Sequence, residues 1–132
     1  MSEAALISSR RIVAFSAIVE TATGVALMIA PAVVSALLVR AEISGLALLL
    51  GRCMGVSLVA LGLACWPEQQ RAQPGPAALR AVFTYNALIA LLLGYVGTVL
   101  QLGGPLLWPA VTLHGAVVLL LAWARLRTPL GT

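Results

Sequence analysis

Four long apolar stretches follow one another along this chain, divided by short groups of polar residues, prolines and glycines. The first runs from about Ile12 to Ala30, behind Arg10 and Arg11 and ahead of Pro31. The second runs from about Ile43 to Trp66 and stops at Pro67 and Glu68. The third covers about Ala81 to Leu102 and is closed by Gly103, Gly104 and Pro105. The fourth, from about Leu106 to Ala124, is followed by Arg125 and Arg127. Each is near the ~20 residues that an α-helix needs to cross ~30 Å of hydrocarbon. They are too long for strands and carry no alternation of period two, which argues against a transmembrane barrel. The pattern predicts an all-α membrane protein: one domain, a four-transmembrane-helix bundle, antiparallel and left-handed. Between Pro31 and Arg40 stands a shorter apolar piece, PAVVSALLV. It either extends the first span beyond a proline kink or forms an interfacial helix over 31–39. A proline suits the first turn of a new helix, which favours the second reading.

Composition sharpens this picture. Of the 132 residues, 61% are hydrophobic and only 9% charged, where a soluble domain carries about a quarter. Lipid must therefore be much of the solvent. The basic residues are eight arginines with no lysine, and the formal net charge is +4. They are scattered along the chain rather than gathered on one polar face, which excludes a nucleic-acid partner. Their placement instead sets topology. Arg10, Arg11, Arg71, Arg80, Arg125 and Arg127 fall on one side of the bilayer, and only Arg40, offset by Glu42, on the other. The positive-inside rule then puts both termini in the cytoplasm. Trp66 and Trp123 at the inner ends of spans, and Trp108 at an outer end, fit the interfacial belts. The Arg-, Ala- and Leu-rich bias points to a bacterial inner membrane. Ser9-Arg10-Arg11 resembles a twin-arginine signal, but Glu20 in the apolar run and the lack of a cleavage site predict an uncleaved span.

Charge inside the spans is the candidate chemistry. A charged side chain near the bilayer centre costs ~2.5–3.5 kcal/mol on insertion scales, so it faces the bundle and finds a partner. Glu20, Arg52 and the single histidine, His114, are such residues. At 1.5 Å per residue they lie about 12, 21 and 15 Å from the inner ends of their spans. Glu20 and His114 are thus nearly level, and Arg52 is within reach of a long side chain. The expectation is an intramembrane cluster of Glu20, Arg52 and His114. Ser16 and Thr23 share the Glu20 face, and Tyr85 and Asn86 support the cluster from the third span. Gly51, Gly55, Gly62, Gly94 and Gly97 are the expected helix-packing positions, Gly51 and Gly55 forming a GxxxG.

The catalytic inventory is nearly empty. There is no GxxxxGK[ST], HExxH or zinc-type Cys/His cluster. The chain has no Asp for a Ser-His-Asp triad and no GxSxG elbow. Cys53 and Cys65 are twelve residues apart in one span, about 18 Å along a helix and too far for a disulfide. No enzyme, metal site or resident cofactor is expected. A haem or quinone near His114 is the alternative, with bis-His haem requiring a dimer.

Two families share features with the chain. Arg11, Gly24 and Pro31 in the first span, with Gly51-Arg52-x-x-Gly55 and Leu61-Gly62 in the second, resemble the small four-helix bacterial membrane proteins of the DoxX-like type. That resemblance implies a fold more than an activity. Glu20-Thr21-Ala22-Thr23-Gly24-Val25-Ala26-Leu27-Met28 is similar to the first span of small multidrug resistance transporters. It would make Glu20 a proton and cation site. Three functions follow as expectations. The first is an accessory or structural membrane subunit in a homodimer or larger complex, its polar cluster serving as internal glue. The second is a dimeric proton-coupled transporter working through Glu20. The third is a quinone-, lipid- or haem-binding protein.

Overall fold

The computed structural model describes residues 3–67 and 74–126, with side chains from residue 9 onward. Glu68, Arg71 and Arg127 lie outside the described residues. The regular elements of the described residues are all helices: α1 (Glu3–Ile29), α2 (Pro31–Val39), α3 (Leu46–Ala64), α4 (Pro76–Thr98) and α5 (Leu107–Leu126). All but α2 are long and apolar enough to cross a membrane, over Ser9–Ile29, Leu46–Ala64, Pro76–Thr98 and Leu107–Leu126. The protein is a small helical membrane protein.

Local chemistry sets the ends of these helices. Pro31 lacks an N–H and disfavours helical geometry in the residue before it. Ala30 accordingly leaves the helical region (φ −136, ψ 62), and Pro31 opens α2 at its first turn. That helix stops at Arg40, which is left-handed (φ 53) and donates its backbone N–H to the Ala36 carbonyl. Gly45 turns at φ 52 and delays the start of α3 to Leu46, three residues beyond the start of the apolar run. Pro76 starts α4 five residues ahead of that run, because Arg80 interrupts hydropathy but not helix geometry.

The bundle is two hairpins. α1 packs chiefly on α3 and α4 on α5, while among the described residues α3 barely touches α4 or α5. The α1–α3 contact is close because it is built from small residues. A Cβ on Gly55 would stand 2.5 Å from the Gly24 carbonyl oxygen, and one on Gly24 would stand 2.7 Å from that of Gly55. Only glycine permits that approach of backbones. Gly62 rests in the same way on Ala17 and Thr21, and Gly51 on Pro31. Gly97 faces Leu107 and Trp108, whereas the space beside Gly94 is open, which removes Gly94 from the packing positions.

The hairpins are joined at both ends. At the proximal end, where α1 begins, Val13, Cys65, Val82, Val117 and Leu121 form one buried cluster drawn from both. At the distal end, α2 bridges them. Gly104 N–H donates to the Leu38 carbonyl at 2.8 Å and Leu106 N–H to that of Leu37 at 3.0 Å. These carbonyls at the end of α2 have no partner inside their own helix, so the α4–α5 loop supplies it. A Cβ on Gly104 would collide with the Leu37 carbonyl. α2 is thereby held as a roof tied to both hairpins.

Candidate functional site

Between the two fastened ends the hairpins separate and leave an apolar cavity of about 670 Å³ beneath α2, half open to its surroundings. Its volume is in the range of small-molecule pockets, about 300–1,000 Å³. Val33, Val34, Leu37 and Leu38 of α2 line it, with residues of α1, α3, α4 and α5. Thr23, Tyr85 and His114 are the polar side chains on its wall. No arginine or carboxylate is among the lining residues.

Behind His114 a hydrogen-bonded chain runs into the bundle. His114 Nδ1 lies 2.7 Å from Asn86 Oδ1. Asn86 Nδ2 donates one hydrogen to the Val82 carbonyl at 2.8 Å and shares the other between Ser16 Oγ at 2.9 Å and Glu20 Oε1 at 3.3 Å. Ser16 Oγ donates to Glu20 Oε1 at 2.7 Å. Asn86, Ser16 and Glu20 are 0%, 2% and 2% exposed, so no bulk solvent substitutes for these bonds. The helices place them simply. Ser16 and Glu20 are one turn apart on α1, as are Val82 and Asn86 on α4, and these faces meet opposite His114 on α5. Tyr85 stands edge-on to His114, ring centroids 5.9 Å apart. Among the described residues, two buried oxygens, Glu20 Oε2 and Thr21 Oγ1, have no hydrogen-bond partner.

The expected cluster is thus changed in membership. Glu20 and His114 belong to one network, but Asn86 joins them. Arg52 is not part of it: the side chain is exposed, and Glu20 bonds to Ser16 and Asn86 instead. The reason is rotational. The buried face of α3 is centred on Gly55, Leu58 and Gly62; at 100° per residue, Arg52 sits about a quarter-turn from that centre. It also lies only six residues in from Leu46, about 9 Å along the axis. From there the guanidinium can snorkel to the distal interface.

Ser16 and Asn86 bond directly to Glu20, and Thr23 lines the cavity rather than joining the network. α2 is not among the expected site elements, yet it lines the cavity. The signal available was an apolar run too short to span, set off by a proline at its start. Among the described residues no three His, Cys, Asp or Glu side chains gather as a metal site, and Cys53 (exposed) and Cys65 (buried) are both free thiols.

Fold and site define a class: a four-span helical membrane protein with a roofed apolar cavity and a polar chain behind one wall. Comparison with protein-family models, with curated proteins and with solved structures finds no match to this chain.

Proposed function

We propose that this is a membrane-embedded binding protein for a small, uncharged, amphipathic molecule drawn from the lipid phase. The ligand lies in the cavity with its polar group at His114 and Tyr85 and its apolar body under α2. The observation that carries this reading is the cavity itself, about 670 Å³ of almost wholly apolar wall with two hydrogen-bonding rings on it. The space is half open, with Ile29, Val33 and Met54 of its lining exposed, so a chain in the lipid phase can enter it directly. Transport through Glu20 is less favoured, because Glu20 is absent from the cavity wall and lies behind Asn86 and Ser16. A haem would bring two carboxylates to a wall that offers no arginine.

The charge asymmetry supports a setting in a bacterial inner membrane, multi-pass, with both termini in the cytoplasm and α2 at the outer face. The test of the binding reading is purification in detergent, then an absorption spectrum and native mass spectrometry on the same sample. A colourless protein carrying an uncharged molecule at fixed stoichiometry, lost in Ala110→Trp, is the expected result. A Soret band, or a wild-type chain as empty as the Ala110→Trp variant, overturns it.

A further inference from the structure

The hydrogen-bond pattern around Asn86 selects the chemistry of the ligand's polar group. The Val82 carbonyl can only accept, so the amide nitrogen of Asn86 must face it. The same nitrogen then faces Ser16 and Glu20, and the amide oxygen is left for His114 Nδ1. An oxygen without a hydrogen requires a proton on Nδ1. In the neutral ring, Nε2 is therefore a bare lone pair. Nε2 has no partner among the described residues and is not a buried atom, and the same holds for the Tyr85 hydroxyl. His114 and Tyr85 both line the cavity.

Resting on the binding role proposed above, we infer that the ligand is a lipid alcohol, a long apolar chain or ring system ending in a hydroxyl. Its O–H donates to Nε2 of His114, and its oxygen accepts from the Tyr85 hydroxyl. A ketone, quinone or ester carbonyl has only lone pairs and would set one against that of Nε2. A phosphate or carboxylate head would meet no cation on this wall. Of these groups the alcohol alone offers both a donor for Nε2 and an acceptor for the Tyr85 hydroxyl.

The chain has a single histidine, so ¹⁵N-histidine labelling in lipid nanodiscs gives one pair of ring signals. In the wild-type protein Nδ1 is expected to be pyrrole-type and Nε2 pyridine-type. Adding hexadecanol should move the Nε2 signal toward the hydrogen-bonded range, while hexadecyl methyl ether leaves it in place. In competition against a fluorescent single-chain lipid, the ether should bind about tenfold more weakly than the alcohol, as expected for one acceptor that the bound ligand covers and leaves unmet. His114→Phe should abolish that difference while still binding the ether. A pyridine-type Nδ1, or equal displacement by alcohol and ether, overturns the assignment of the alcohol while leaving the cavity a binding site. No displacement by either compound defeats the binding role itself.

Discussion

Asn86 has an unusual load for a single side chain in a membrane span. It bonds His114 on α5, Ser16 and Glu20 on α1, and the carbonyl one turn back on its own helix. Asn86→Leu removes all of these at once and orphans the buried groups that faced it. Interhelical hydrogen bonds in membranes average about 0.6 kcal/mol with a maximum near 1.7. Losing several should therefore cost about 1–3 kcal/mol, measured by unfolding in mixed micelles. Arg52 gives the contrast. It is exposed and bonds to nothing among the described residues, so Arg52→Gln should leave stability within about 0.5 kcal/mol. The double-mutant cycle of Glu20→Gln with Arg52→Gln should be additive to within about 0.3–0.5 kcal/mol. A coupling well above that would restore the ion pair that depth alone predicted. Depth was legible in the sequence because rise per residue is fixed. The rotation of α3 was not, because the stripe Arg52, Gly55, Val59 and Gly62 and the stripe Gly51, Gly55, Leu58 and Gly62 overlap on the same glycines. Which stripe faces inward is decided by the partner helix, here Gly24 and Thr21 of α1.

At the scale of the element, glycine is informative only where something faces it. Gly55→Ala would drive a Cβ against the Gly24 backbone, and the helices must part; overpacking of this kind costs about 1–3 kcal/mol. Gly94→Ala meets open space and should be neutral, or stabilising by up to about 1 kcal/mol through helix propensity. Unfolding of the two variants side by side checks the pair. Hydropathy could not separate these glycines, since both lie in apolar runs. α2 is the other element whose role depended on tertiary contact. Its limits could be read from Pro31 and Arg40, but not the bonds from Gly104 and Leu106 that hold its end. Gly104→Val should release this roof while the four spans stay folded. The expected signature is faster hydrogen exchange in residues 31–39, with unchanged helix content by circular dichroism.

The whole molecule is organised by where its hairpins touch and where they do not. Four apolar runs of spanning length made the helix count legible, and prolines and glycines marked most of the breaks. The cavity was not legible, because it arises from the slight contact of α3 with α4 and α5 and from the bridging position of α2. Periodicity describes one helix at a time and carries no record of a gap between two. The same separation explains why a chain with few polar residues keeps so many of them in one connected group. Ser16, Glu20, Asn86 and His114 join the hairpins just below the space that divides them.

The central claim is that this space takes up a ligand from the membrane. The most direct test is photolabelling in native vesicles with a single-chain lipid bearing a diazirine at its tail, followed by peptide mapping. The account predicts saturable labels concentrated on cavity residues such as Val34, Leu93 and Leu113, abolished in Ala110→Trp. Labels spread over the exposed outer faces, at Leu49, Leu91 and Leu119, and indifferent to Ala110→Trp, would contradict it.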